Sequence, residues 1–238
     1  MLLLVRAAAE AIAGFSPTDS SIWTSIRSSD IRKPIESFLW KALHNANRSG
    51  SYWKHVPGFE HRELCPNCLT AEESIGHILT SCSATGRHLV WSLARRIWQQ
   101  TGRPLPAMSI GLILGCGLAA IPGRDRRTAP GTIRLWRILI SESVYLIWKL
   151  RNERVIQHGD VAGWQHSRRE VEERWLQVLN VRLALDRTLT NPRYKHSSVS
   201  ADLVDETWRG TLVSTGPIPD DWIFKPGSPT LALSAVRN

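Results

Sequence analysis

The chain has 238 residues, 42% of them apolar and 21% charged, with 30 lysines and arginines against 21 acidic residues. That length and apolar content support one or two domains with true cores and exclude wholesale disorder. Four cysteines exclude a disulfide scaffold and fit a reducing compartment, while 16 glycines and 13 prolines are too few for a collagenous or low-complexity chain.

In chain order, residues 1–29 read as an apolar and linker segment. Met1-Leu2-Leu3-Leu4-Val5 has no preceding cation and is cut by Arg6, a poor signal peptide. Residues 30–104 form a helical region. Asp30 is placed to cap a helix with the stripe Ile31, Ile35, Phe38, Leu39, Ala42, Leu43 and Ala46. Thr70 and Glu73 have capping-box spacing ahead of a short helix with Ile75, Ile78 and Leu79 on one face. A further helix spans about 85–100, with Leu89, Leu93, Ile97 and Trp98 inward.

Residues 105–131 join a charge-free glycine- and proline-bounded stretch, read as buried and irregular, to a basic linker over 121–131. Residues 132–209 carry the long helices. The one over 132–157 is apolar around most of its circumference and is expected to be central, although Arg134, Arg137, Glu142 and Lys149 exclude a membrane span. The helix over 165–188 has Val171, Trp175, Val178, Leu179, Val181 and Leu185 on one face, with Glu172 and Glu173 on a solvated side. Ala201 to Arg209 is a short helix, and residues 210–238 are expected to form a loosely ordered tail. No sustained alternation marks a strand. The expected fold is mostly α, an irregular helical bundle with a small Cys-Cys-His-Cys zinc-knuckle-like insertion. The expected location is intracellular, nucleus or cytoplasm, without membrane contact.

The charge is unevenly placed. Residues 83–170 hold 14 cations, 13 of them arginine, against 5 acids, while the rest of the chain balances. Arginine offers a planar fork that suits phosphate and stacks on bases, so nucleic acid is the first partner class; a solvated helix surface is the plain alternative. Candidate contacts are Arg95, Arg96, Arg124, Arg126 and Arg127. Of the 11 tryptophans, most sit at helical core spacing; Trp53, in a polar segment, is the exception suited to stacking.

One constellation carries chemistry. Cys65-Pro66-Asn67-Cys68, His77 and Cys82 have the spacing C-x2-C-x8-H-x4-C. Zn2+ takes four thiolate or imidazole ligands in a tetrahedron, and a C-x2-C turn converges two sulfurs on one point. On a continuous α-helix, however, His77 and Cys82 would point about 140° apart, so the helix must end or tighten before Cys82. The alternatives are a core cysteine at 82, an exposed His77 and a redox pair at 65 and 68. His61 and His88 are substitute ligands by proximity, and Cys116 reads as a buried small residue. Four protein ligands would leave no position for water, making one such zinc ion structural, with Arg62 or Arg87 offsetting its surplus negative charge. No nucleophile elbow, phosphate loop or metalloprotease helix is present, and Asp220-Asp221 lies in a proline-rich tail.

Phe38-Leu39-Trp40-Lys41 with His44, Gly50, Tyr52-Trp53 and the ligand set at 65, 68, 77 and 82 resemble the zinc-binding region downstream of the polymerase in LINE-type, non-LTR retrotransposon proteins. Arg137-Ile138-Leu139-Ile140-Ser141-Glu142-Ser143 and the run from Leu146 to Ile156 resemble the C-terminal tail of fungal members. So do Asn180 to Asp186 and Pro219-Asp220-Asp221-Trp222-Ile223. The resemblance covers about residues 20–225. It implies a zinc-binding tail that works beside upstream reverse transcriptase or ribonuclease H domains. The chain has neither the aromatic-x-Asp-Asp polymerase motif nor a ribonuclease H carboxylate set, so no enzyme activity is expected of it. Two main readings follow: a zinc-stapled module that binds RNA or DNA without catalysis, or a structural or protein-interaction module docking through residues 1–15. A hydrolase with a hidden carboxylate site is the third.

Overall fold

A computed structural model describes residues 1–123, 125, 127–159, 161, 163–213, 216–225 and 229–231. Among them the helices are α1 (Leu2–Ala13), α2 (Asp19–Ser25), α3 (Lys33–Leu43), α4 (Thr85–Gln99), α5 (Ile110–Leu114), α6 (Pro130–Asn152), α7 (Arg168–Leu189) and α8 (Ala201–Trp208). The described residues contain no sheet, only the isolated bridges Leu64 to Glu72 and Val213 to Thr230. The fold is therefore mostly α, an irregular bundle, as the periodicity implied. No helix among the described residues is long and apolar enough to cross a membrane.

Local chemistry sets the helix starts. Ser167 accepts the Glu170 N–H at 3.1 Å to cap α7, and Ser200 accepts the Leu203 N–H at 3.2 Å to cap α8. Pro130 and Pro34 sit in first turns, where a missing N–H breaks no helical bond.

Helix α6 is the axis of the bundle, with α3, α4, α5, α7 and α8 packed around it. Leu135, Trp136, Ile138, Leu139, Ile140, Val144, Leu146 and Ile147 are all buried. Trp98 of α4 meets Trp136 edge-on with ring centroids 5.1 Å apart. Each such side chain contributes roughly 1.5–3 kcal/mol of burial, so among the described helices α6 supplies the most buried apolar side chains.

A polar knot crosses the same helix. The Arg134 guanidinium donates to Asp186 at 2.6 and 2.7 Å and pairs with Asp30 at 3.0 Å, while the Trp208 indole donates to Asp186 at 2.7 Å. Asp30 also receives Arg137 at 3.1 Å. This corrects the expected cap. Asp30 is turned toward two guanidiniums of α6, and α3 starts at Lys33 with no side-chain cap. Paired charges outweigh a single backbone N–H as partners for that carboxylate.

The charge-free stretch is buried and irregular, as expected. Its glycines let backbones touch: a Cβ on Gly111 would lie 2.0 Å from the Leu4 carbonyl oxygen, and one on Gly117 would lie 2.1 Å from that of Ser25. Residues 1–29 are therefore two helices docked on α5 and the turn at 116–118. The described part of 210–238 is likewise held down. Trp222 is fully buried with its indole donating to Asp205 at 2.5 Å, and Ile223 and Leu231 join the core. Buried aromatic area opposes the looseness that proline and glycine content implied.

Candidate metal centre

The site is built from a reversing turn and a widened one. The strand-like bridge at Leu64 and Glu72, with the Cys65 N–H on the Ala71 carbonyl at 2.8 Å and the Glu73 N–H on the Glu63 carbonyl at 2.9 Å, folds residues 63–73 back on themselves. Pro66 and Asn67 occupy the tip, and the Leu69 N–H closes onto the Cys65 carbonyl at 2.8 Å. Leu69 has φ of 61°, the left-handed region where glycine is at ease. The turn aims Cys65 and Cys68 at one point.

The second pair comes from a short helical segment after Ser74, whose hydroxyl accepts the His77 N–H at 3.2 Å. The expected Thr70–Glu73 capping box does not form. The Thr70 hydroxyl donates to the Cys68 carbonyl at 3.3 Å, and the buried Glu73 is taken by Arg151 of α6, with Nε at 3.0 Å. A buried carboxylate gains more from a guanidinium than from a cap.

His77–Ser81 is a π-turn, closed by the Cys82 N–H on the His77 carbonyl at 2.8 Å. This answers the 140° difficulty in the direction opposite to the one expected. The helix widens to an i→i+5 bond, which stacks residue 82 over residue 77.

The four side chains converge. One donor atom from each of Cys65, Cys68, His77 and Cys82 lies within 4.8 Å of the others. The sulfurs of Cys65 and Cys82 are 3.7 Å apart and those of Cys68 and Cys82 are 4.0 Å apart. Both exceed a disulfide bond of about 2.05 Å, and the cysteines are free. They match the edge of about 3.8 Å that a tetrahedron of 2.3 Å metal–sulfur bonds requires. His77 Nε2 is buried without a hydrogen-bond partner, while Nδ1 sits 3.1 Å from the Ser81 hydroxyl. A ring held at one nitrogen with the other left as an orphan acceptor is the arrangement of a ligating histidine. The cluster fits a metal ion.

Its electrostatics agree. The Cys82 thiol donates toward Cys65 and, with the Cys68 and Asn67 backbone N–H groups, lowers the Cys65 thiol to about 4, against the cost of burial. The same contact pushes Cys82 upward. Burial disfavours the Cys68 thiolate, yet the Ser83 N–H and hydroxyl, at 3.4 and 3.2 Å, and the Asn67 amide hold that thiol below its usual range. These donors and Ser81 were not legible at the sequence level, because serine and asparagine beside a cysteine carry no pattern of their own.

Several expectations shift. Arg87 caps the π-turn, donating to the carbonyls of Thr80, at 3.0 Å, and Cys82. Arg62 lies over the rings of Trp53 and Phe59, at 5.4 and 4.9 Å. The cation whose field favours the Cys82 thiolate is Arg154, from a second π-turn, Glu153–Gln157, that ends α6. His61 and His88 are exposed and outside the cluster. Cys116 is buried, which pushes its thiol up to about 12.

A second group, Glu153, His166 and Glu170, also gathers possible ligands. Arg174 fills it, donating to both Glu153 oxygens at 2.5 and 2.6 Å and to Glu170 at 3.3 Å. It is an ion-pair hub between the second π-turn and α7. Asp220 and Asp221 do not form a carboxylate site: each pairs with its own cation, Arg209 at 3.4 Å and Lys225 at 2.9 Å. Glu172 and Glu173 pair with Arg168 and Arg169 along the face of α7.

Of the five arginines expected to contact nucleic acid, Arg124 and Arg126 lie outside the described residues. Arg95 and Arg127 are exposed, and Arg96 is half-buried. Much of the remaining arginine excess is structural, as Arg134, Arg137 and Arg151 show. Arg103 likewise binds the carbonyls of Pro122 and Gly123 at 3.1 and 3.2 Å.

Comparison with known proteins gives no match: no family model, no curated protein and no solved structure matches the chain.

Proposed function

We propose that Cys65, Cys68, His77 and Cys82 hold one Zn2+ as a structural ion, and that the chain is a retrotransposon-type, reverse-transcriptase-derived zinc-binding module that binds RNA or DNA without catalysing a reaction. The observation that carries the zinc assignment is the tetrahedral sulfur spacing together with the orphan Nε2 of His77. Three thiolates and an imidazole are soft to borderline ligands, the set that suits zinc, and four protein ligands saturate it. When bound, the ion supplies a cross-link. Around it, Ser81 orients His77, the Ser83 and Asn67 donors stabilise Cys68, and the Glu73–Arg151 pair fastens the knuckle to α6.

The nucleic-acid reading rests on the net charge of +9 and on a rim beside the knuckle. There Tyr52 and Phe59 are exposed, Trp53 meets Tyr52 edge-on and Phe59 at a tilt, and Arg62 covers two of the rings. Exposed aromatics interleaved with cations suit base stacking and phosphate contact. The docking alternative has one supporting observation. Leu3 and Leu4 stay exposed on α1, where upstream domains of a parent protein could sit, although Val5 and Ala9 are buried against α5. Two leucines are a small patch for an interface.

The test combines metal analysis with binding. Protein purified with zinc should contain one equivalent by mass spectrometry, and labelled single-stranded RNA or DNA should bind at 50 mM salt and weaken at least tenfold by 200 mM. Absence of stoichiometric metal removes the zinc assignment. Absence of binding at low salt, with light scattering showing self-association through residues 1–15, replaces the nucleic-acid reading with the docking one.

A further inference from the structure

Away from the knuckle, an open bay lies between α3 and α6. It holds about 520 Å3, and its lining includes Phe38, Lys41, Arg48, Tyr145 and Trp148. That volume falls in the range of small-molecule sites. Its wall is aromatic: the ring of Phe38 lies 5.9 Å from that of Tyr145 and 5.5 Å from that of Trp148. Its rim is cationic: Lys41 and Arg48 are exposed, and among the described residues lining the bay none is acidic. Asn47, on the loop that closes one end, keeps a side-chain oxygen without a hydrogen-bond partner.

Packing alone does not account for this combination. Tyr145 and Trp148 are only partly buried although they sit on the most buried helix of the molecule, and the bay is where that helix meets solvent. Lys41 is the one cation in the last turn of α3, while the Lys33–Glu36 pair neutralises its start. Arg32, just before α3, and Glu142 of α6 neutralise one another, and among the described residues no acidic one lines the bay. The lining therefore suits an occupant that is flat and aromatic in one part and anionic in another. A lipid or an apolar peptide lacks the first property or the second. A nucleotide unit has both.

We propose that this bay is a single-strand subsite, in which a base of a polynucleotide stacks against Tyr145 and Trp148 while its phosphates lie on Lys41 and Arg48. The proposal rests on the nucleic-acid reading above and places one of its contacts away from the metal knuckle and outside the arginines chosen from sequence. Stacking of this kind tolerates any base, because every base presents a π-face. Arg48 of the bay also lies 5.8 Å over the Tyr52 ring, and its carbonyl accepts the Trp53 indole N–H at 3.1 Å, so the bay adjoins the aromatic rim.

The experiment uses the full zinc-loaded chain and fluorescein-labelled 12-mers of oligouridine and oligothymidine, read by anisotropy at 50 mM salt. Lys41→Glu with Arg48→Glu, both at exposed positions, should weaken binding at least tenfold, and Tyr145→Leu at least fivefold. Lys195→Glu, an exposed cation that lines neither the bay nor the aromatic rim, should stay within twofold. Circular dichroism identical to wild type confirms that each variant is folded. A 4-thiouridine oligomer should cross-link to peptides from α3 or α6. Binding by either oligomer with these losses supports the subsite. Unchanged affinity of the Lys41/Arg48 double variant, with cross-links elsewhere, overturns the bay and leaves nucleic-acid binding standing. Failure of wild-type protein to bind either oligomer overturns both.

Discussion

The metal knuckle and the α6 axis are stabilised by opposite means. Residues 59–74 bury almost nothing apolar: Phe59, Leu64 and Leu69 are exposed, and Cys65 is the buried apolar residue of the turn. Their fold rests on a few backbone bonds and four converging ligands. Helix α6 buries a row of large side chains and adds the Arg134–Asp30–Asp186 knot. A segment without a core needs a cross-link to repay its ordering entropy, whereas a bundle axis repays it through area. The Glu73–Arg151 pair and the packing of the His77–Ser81 turn on α6 join the two regimes.

The largest effect should come from removing the metal. Structural zinc contributes on the order of 10–16 kcal/mol in small modules. A strong chelator, or Cys68→Ser, should expose residues 50–84 to limited proteolysis while the far-UV circular dichroism of the bundle largely persists. Loss of both signals at the same chelator concentration would show that knuckle and axis are a single cooperative unit.

The axis should fail by a different route. Asp186→Ala leaves Arg134, Arg182 and the Trp208 indole without their shared acceptor in a buried site, a change that costs about 3–5 kcal/mol. Thermal unfolding should shift strongly downward, whereas zinc stoichiometry in the folded protein should stay at its wild-type value. Parallel loss of metal would blur the distinction between the two regions.

The smallest effect concerns the hub beside them. The Arg174 guanidinium, aided by His166, holds the Glu153 carboxyl down at about 2, against partial burial. An acid whose folded value lies below its unfolded value of about 4.5 stabilises the fold above that pH. The contribution fades as pH falls from about 4.5 toward 2. Denaturation midpoints of wild type and Glu153→Gln should therefore differ at pH 6 and converge toward pH 2; a constant difference would assign the pair no role in acid stability.

Much of this was legible from residue order. Apolar spacing located α3, α4, α6 and α7, and it marked the helix over 132–157 as central because its apolar residues nearly encircle it. The ligand set was legible because four soft donors at close spacing form a local pattern. What was misplaced follows from competition at a distance. Asp30 and Glu73 both had the local look of caps, and both were claimed by arginines of α6 more than 70 positions away. The same competition draws Arg87, Arg103, Arg134, Arg137 and Arg151 of the basic block into internal bracing.

Residue order alone carries the helical class, the central helix and the four side chains of the candidate metal centre, because periodicity and donor spacing act over a few residues of chain. Tertiary structure alone decided the π-turn that turns Cys82 onto His77, the arginine that faces the sulfurs, the burial of Trp222 and the bay between α3 and α6. Each of those depends on which partner reaches a group first in space, and a buried charge or an unfilled hydrogen bond is settled by its neighbours in the fold, not by its neighbours along the chain.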